Sequence, residues 1–270
     1  MMDPADLHRI ARRHVLALAA LPFSTAATPH VRPGQPGQPG WPDAAAWEML
    51  RARTGDALQA VASPWPACRA DPGTPTCAAL FARPQNPYAI GDDVARTQTY
   101  GWVDAWTSEP PAYALSARDA ADVAAAVDFA RMHRLRLVVR GGGHSYKGQS
   151  NAADALLVWT RRLRSAALHE AFVPAGCDLA PRRAVSLGAG VLWNQAYDLV
   201  TTHGGGYVQG GGCMTVGVPG LVQMGGFGSF SKAYGLAASS LLEAELVTAD
   251  GQLRTVNACR DPELFWALKG

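Results

Sequence analysis

The chain has 270 residues, a net charge of +2, 48% hydrophobic residues and 17% charged residues. This composition is typical of a globular protein with a buried core and excludes a largely disordered chain. The near-neutral charge, without a dense basic tract, argues against nucleic acid as a partner. No apolar run reaches the roughly 18–20 residues that span a bilayer, so we expect no stable membrane anchor.

Residues 1–27 predict an export signal. A basic stretch ends in Arg12 and Arg13, an apolar run follows over 15–23, and small residues occupy 24–27. This order is typical of export, and the adjacent arginines suggest the twin-arginine route, which carries folded cofactor proteins. The first interpretation predicts an exported or periplasmic protein. The alternative is an amphipathic helix beginning near Asp3, which would leave the protein cytoplasmic.

Residues 28–104 predict a linker followed by an irregular N-terminal segment. Residues 28–43 are rich in proline and glycine, as is typical of a linker. Residues 44–62 predict a helix. Frequent prolines over 63–111 predict irregular structure that aromatic side chains pin to the rest of the protein.

The five cysteines do not predict a metal site, because no C-x-x-C spacing occurs. Cys68 and Cys77 lie in a proline-rich loop, where they could form a disulfide in an exported protein or remain two thiols. Cys177 and Cys259 have no distinguishing context. Cys213 does, because it lies within a glycine-rich stretch.

The region after Pro111 predicts alternating strands and helices. The segments "AYALS", "ARDAADVAAAVDFARMHR" and "LRLVV" predict a strand, a helix capped by Ser116, and a second strand, which together make a βαβ unit. A strand "ALLVWT" follows, and "AVSLGAG" with "VLWNQAYDLVTTHG" repeats the strand–helix pattern. Two further strands are expected around the turn Asp250–Gly251, and then a helix with Asp261 as its cap and Pro262 in its first position.

Two glycine-rich loops interrupt these elements. The first is "RGGGHSYKG" at 140–148 and the second spans 204–228. Consecutive glycines let backbone amides face an anion, so a loop of this kind suits a pyrophosphate. The dinucleotide fingerprint is absent because Tyr146 stands where its last glycine belongs, and no Walker sequence occurs. A standard nicotinamide fold and a nucleotide hydrolase are therefore disfavoured.

Each loop carries one nucleophilic side chain, His144 in the first and Cys213 in the second. Taken singly, they could be a loop histidine and a buried thiol. Imidazole and thiolate together are suited to covalent bonding with an electrophilic cofactor ring. A Cys–His catalytic pair is the alternative, although nothing in the sequence indicates a third orienting group or an oxyanion site.

Three motifs in order carry a family resemblance: "VVRGGGHSYKGQS", "GGCMTVGVPGLVQMGGFGSFSKAYGLAASSLLEAELVTADG" and "DPELFWALKG". They resemble the FAD-linked oxidases of the vanillyl-alcohol oxidase superfamily, which have a PCMH-type FAD-binding domain, and most closely the berberine-bridge-enzyme-like branch. The resemblance covers residues 105–270 and implies an α+β fold, an FAD-binding domain of two α/β subdomains. The family continues past "ALKG" into a substrate domain, so we expect a C-terminally truncated chain in which that domain is largely absent.

The resemblance also implies roles for individual residues. His144 matches the histidine that bonds the 8α-methyl group of the flavin, and Cys213 matches the cysteine that bonds its C6 atom. The other implied FAD-binding residues are Arg140, Gly141, Gly142, Gly143, Ser145, Gly212, Thr215, Val216, Gly217, Gly220, Gly225, Gly226, Gly228, Tyr234, Gly235, Leu236 and Val247. Pro219 and Met224 depart from the family pattern, in which glycines occupy those positions.

The implied activity is oxidation of an alcohol, sugar or similar C–H donor, with hydride transfer to flavin N5 and O2 as the acceptor. Val216 matches a position beside the oxygen-reactive face of the flavin, where a small aliphatic residue goes with oxidase behaviour. Two alternatives are a truncated, non-catalytic FAD-binding fragment and an NADPH-dependent reductase with non-covalent FAD. Neither a catalytic base nor an oligomeric state follows from the sequence.

Overall fold

A computed structural model describes residues 35–82 and 85–269. The predicted export signal at 1–27 and the start of the predicted linker lie outside these residues. The helices are α1 (Ala44–Thr54), α2 (Pro66–Ala70), α3 (Pro75–Ala82), α4 (Pro87–Gly91), α5 (Ala120–His133), α6 (Trp193–Tyr197), α7 (Val218–Gln223), α8 (Ser231–Tyr234) and α9 (Pro262–Ala267). Within the described part of the chain, none of them is long and apolar enough to cross a membrane.

The strands are β1 (Leu58–Ala60), β2 (Gly101–Trp102), β3 (Trp106–Thr107), β4 (Tyr113–Ser116), β5 (Arg136–Arg140), β6 (Ala155–Trp159), β7 (Ala166–Phe172), β8 (Arg182–Leu187), β9 (Glu243–Val247) and β10 (Leu253–Asn257). A four-stranded sheet has the order β1-β4-β6-β5. Strands β4, β6 and β5 are parallel, and β1 pairs antiparallel at the edge. The predicted βαβ unit is therefore present, with β6 between its two strands.

Both faces of the central strand β6 are buried. Alternate residues of β6 point to opposite sides, so Leu156 and Val158 pack towards α1 and α5, while Leu157 packs on the other face. On the helical side, the Trp47 ring stacks on Tyr113 with centroids 3.8 Å apart. A strand covered on both faces needs a continuous apolar run, which explains why "ALLVW" lacks polar alternation.

The bounds predicted for α1 and α5 and the side-chain cap predicted for α9 are wrong, each for a local reason. Helix α1 ends at Thr54 because Gly55 has φ 58°, and Leu58 starts a strand. Helix α5 is capped by Asp119, whose side chain accepts from the Asp122 amide, because Ser116 is still in β4. Asp261 has φ 46° and makes no side-chain cap, although Pro262 does open α9 as expected.

Residues 63–111 are more ordered than predicted. They form the short helices α2, α3 and α4 and the hairpin β2–β3, and a disulfide between Cys68 and Cys77 joins α2 to α3. Aromatic side chains join this segment to the rest of the protein, as expected. The Trp106 indole N–H donates to the Tyr146 carbonyl at 2.9 Å, and the Trp102 ring lies 6.1 Å from the Tyr146 ring.

The second half of the described chain contains two antiparallel pairs, β7–β8 and β9–β10. The β9–β10 hairpin turns at Gly251, as predicted. Strand β7 was not predicted. The helix predicted over 191–204 is shorter as an α-helix. It begins at Trp193, and after Tyr197 the chain continues as a π-helical stretch, Asp198–His203. A second disulfide joins Cys177 to Cys259, a pairing that no sequence pattern indicated.

Candidate FAD-binding site

The two glycine-rich loops meet backbone to backbone. Gly142 follows β5, and a β-carbon placed on it would lie 2.6 Å from the Gly217 nitrogen and 2.6 Å from the Thr215 carbonyl oxygen. No side chain fits in that space, so glycine is required for the contact. The second loop is held in turn by Trp193, whose amide donates to the Val216 carbonyl at 3.0 Å.

This contact brings the two predicted attachment residues to one hydroxyl group. His144 Nε2 lies 2.9 Å from Thr215 Oγ1, and Cys213 Sγ lies 3.8 Å from the same oxygen. Thr215 is 3% exposed, whereas Cys213 is exposed and is outside both disulfides. The sequence predicted Thr215 only as a neighbour of the cofactor. Its position two residues after Cys213 was the available signal for the side-chain role.

The His144 imidazole is partly buried, and this burial lowers its pKa; a hydrogen bond with the Thr215 backbone opposes the shift in part. Because the pKa of a free histidine is already about 6.5, the ring is neutral at pH 7. A neutral imidazole keeps one nitrogen lone pair available as a nucleophile.

The loops also present backbone amides. The N–H groups of Gly142, Gly143, His144, Thr215 and Gly217 donate to no acceptor in the described part of the chain. Unpaired amides in glycine-rich loops are typical ligands of anions. These amides could therefore hold the pyrophosphate of a dinucleotide, with His144 and Cys213 close by.

The side chain of Arg140 makes its contacts within the protein. Its guanidinium donates to the Val94 carbonyl at 2.6 Å and to Asn151 Oδ1 at 3.3 Å, and it lies 5.3 Å from the centre of the Trp159 ring. Burial lowers the pKa of Arg140 to about 10. Any part that Arg140 has in cofactor binding therefore falls to its backbone.

The remaining predicted glycines differ in their surroundings. Gly225 and Gly226 have φ of 82° and 71°, and their carbonyls accept from the amides of Ala238 and Ala237. A β-carbon on Gly212 or Gly220 would have no described atom within 4 Å, so both residues border open space. Pro219 lies in the first turn of α7, where its missing amide breaks no helical bond.

The last four residues that the resemblance assigned to FAD binding are less enclosed. Tyr234 and Leu236 are exposed, Gly235 has φ 79°, and Val247 ends β9. The sequence did not predict that the rings of Tyr207 and Tyr234 would lie 4.9 Å apart. The buried Gln209 side chain donates through Nε2 to Ser231 Oγ at 3.0 Å.

Residues 111–257 match the model of a family described as an FAD binding domain. The chain belongs to this FAD-binding family. The match lies within the predicted domain at 105–270, and the α+β fold agrees with it.

The chain is similar to an FAD-linked oxidoreductase and to a flavoprotein of known structure. It is 38% identical over 178 residues to the FAD-linked oxidoreductase ffsJ of Aspergillus flavipes, which is 66% of this chain and 29% of that protein. The VAO-type flavoprotein MtVAO615 from Myceliophthora thermophila C1 superposes with a TM-score of 0.76 at 30% identity, over 88% of this chain and 46% of that one. The chain thus spans less than half the length of these relatives.

A third similarity concerns a flavin linkage. Glucooligosaccharide oxidase from Acremonium strictum, with 6-S-cysteinyl, 8α-N1-histidyl FAD, superposes with a TM-score of 0.52 at 27% identity. The superposition covers 60% of this chain and 32% of the oxidase. That protein thus carries its flavin on one cysteine and one histidine, the two residue types that the loops bring together here.

Proposed function

We propose that this chain is the FAD-binding part of an oxidase that holds its FAD covalently through His144 and Cys213. The observation that carries the proposal is the shared contact of these two side chains with the Thr215 hydroxyl, at 2.9 and 3.8 Å. They are separated by about seventy positions in sequence, so only the meeting of the two glycine loops explains their proximity. The linkage in the Acremonium strictum oxidase supports the same assignment.

Bound FAD would supply a two-electron acceptor for a hydride from the substrate. The chain's own residues have three tasks. The amides of Gly142 and Gly143 hold the pyrophosphate, the neutral His144 ring supplies a nitrogen lone pair, and the exposed Cys213 supplies a sulfur nucleophile. Val216 is a small, half-buried residue beside them. We propose that it leaves room for O2, which would accept the electrons.

The proposed substrate is an alcohol, a sugar or a similar C–H donor. The support is the name of the Acremonium strictum protein, an oxidase of glucooligosaccharides, together with the FAD-linked oxidoreductase relatives. Covalent attachment leaves the cofactor fixed without a tight surrounding pocket, which suits bulky substrates.

The attachment is tested by denaturing the FAD-saturated chain and measuring its mass. The wild-type chain should retain one FAD, and His144→Ala and Cys213→Ala should each retain it through the other residue. The double variant should retain none, and His203→Ala, an exposed histidine on the π-helical stretch, serves as the control that changes nothing. Release of all flavin from the denatured wild-type chain, or retention in the double variant, would refute the proposal.

A further inference from the structure

Thr215 is the one side chain that is hydrogen-bonded to both proposed attachment residues within the described part of the chain. Its Oγ1 atom lies 2.9 Å from His144 Nε2 and 3.8 Å from Cys213 Sγ, and the residue is almost fully buried. A buried hydroxyl has one proton to donate and can also accept, so it can serve both neighbours at once.

The hydroxyl distinguishes the two imidazole nitrogens. Nε2 is the ring nitrogen that contacts the Thr215 hydroxyl, whichever atom carries the proton, and Nδ1 has no part in that contact. If Nε2–H donates to Oγ1, the lone pair is on Nδ1 and the hydroxyl proton is available to the sulfur of Cys213. In this arrangement one hydroxyl group is hydrogen-bonded to both nucleophiles.

We infer that Thr215 is a positioning residue for cofactor attachment, whose hydroxyl holds His144 by Nε2 so that Nδ1 forms the bond to the flavin. The same hydroxyl fixes the direction of the Cys213 sulfur. This inference rests on the proposed covalent attachment of FAD. It assigns to the Thr215 hydroxyl the positioning of the two residues that form the bonds.

The balance of each attachment step is simple. His144 loses its N–H proton and gains a C–N bond to the 8α carbon, which loses one hydrogen. Cys213 loses its S–H proton and gains a C–S bond to C6, which also loses one hydrogen. Each step therefore releases two electrons and two protons, and dioxygen takes them up as hydrogen peroxide. For His144, the departing proton is the one on Nε2, which faces Thr215.

The inference is tested with Thr215→Val, which keeps the shape of the side chain but has no hydroxyl, and with Thr215→Ser, which keeps the hydroxyl. Flavin-free chain is mixed with FAD in air, quenched over time and digested, and the flavin peptides containing His144 and Cys213 are quantified by mass. Thr215→Val should slow attachment at His144 by about tenfold, the size expected for one lost hydrogen bond. Thr215→Ser should attach FAD close to the wild-type rate.

The linkage isomer provides a second readout that a merely structural defect would not change. NMR of the purified flavin peptide should show the Nδ1 bond alone in the wild-type chain and an added Nε2 bond in Thr215→Val. If Thr215→Val does not fold, Thr215→Ala removes the same hydroxyl from a smaller side chain.

The two proposals fail in different ways. A wild-type chain with no flavin on either peptide would overturn both the covalent attachment and the role of Thr215. A wild-type chain that attaches FAD, beside a Thr215→Val chain with the same rate and the same Nδ1 linkage, would overturn the role of Thr215 alone.

Discussion

At the scale of single residues, the site depends on the absence of a side chain at Gly142. A β-carbon there would lie 2.6 Å from both the Gly217 nitrogen and the Thr215 carbonyl oxygen. These are backbone atoms, which cannot move aside as the end of a flexible side chain can. The contact between the loops therefore requires glycine, and it places Thr215 beside His144.

We expect Gly142→Ala to separate the two loops. The cost should be about 1–3 kcal/mol, as for other overpacked sites, and FAD retention should fall because His144 and Cys213 no longer share a hydroxyl. Thermal unfolding and the mass of bound flavin measure the two effects.

The matched control is Gly220→Ala, another glycine that the sequence assigned to the cofactor. Gly220 lies in α7 with no described atom within 4 Å of the added carbon. Alanine there should preserve or slightly raise the thermal midpoint, because it favours the helix by up to about 1 kcal/mol. Equal losses in Gly142→Ala and Gly220→Ala would contradict the close-approach argument.

At the scale of secondary-structure elements, the sequence predicted those strands and helices whose burial leaves an apolar pattern in the local sequence. The apolar runs of β5 and β6 and the alanine-rich α5 follow directly from sequence, since each is buried over its whole length or along one face. Strand β7 was missed because its residues are mostly exposed or half-buried and show no apolar run. The cap of α5 was misplaced because Ser116 and Asp119 are both good caps, and only the length of β4 decides between them.

The two disulfides should differ in their contribution to stability. In the chain-entropy model, a bridge across a separation of 82 residues contributes about 4–5 kcal/mol, and one across 9 residues contributes about 2–3 kcal/mol. Cys177→Ser with Cys259→Ser should therefore lower the free energy of unfolding more than Cys68→Ser with Cys77→Ser. Denaturant unfolding of both pairs measures the difference, and equal or reversed losses would contradict it.

At the scale of the whole molecule, the candidate site joins segments that the sequence keeps far apart. The sequence predicted His144, Cys213 and their glycine loops as a set, because three motifs occur in order. It did not predict the contact between Thr215 and His144, or the bond from the Arg140 side chain to the Val94 carbonyl. Both depend on how segments distant in sequence pack around the end of β5. The pairing of Cys177 with Cys259 likewise depends on the tertiary fold.

The disulfides bear on where the protein works. Stable bridges form in oxidising compartments, and four of the five cysteines are paired. We therefore propose that the protein is exported, and that Arg12 and Arg13 direct it along the twin-arginine route, which accepts a chain already folded around its FAD.

We expect Arg12→Lys with Arg13→Lys to keep the protein in the cytoplasm, because lysine preserves the charge but not the planar guanidinium pair. Arg9→Lys, a single change in the same basic stretch, is the matched control and should leave export intact. Cell fractionation locates the protein, and alkylation of the denatured, unreduced chain counts its thiols. The exported form should show both bridges and, with FAD on Cys213, no alkylated cysteine, whereas the retained form should be alkylated at the four bridge cysteines. An Arg12→Lys, Arg13→Lys protein exported as efficiently as the Arg9→Lys protein would exclude the twin-arginine route.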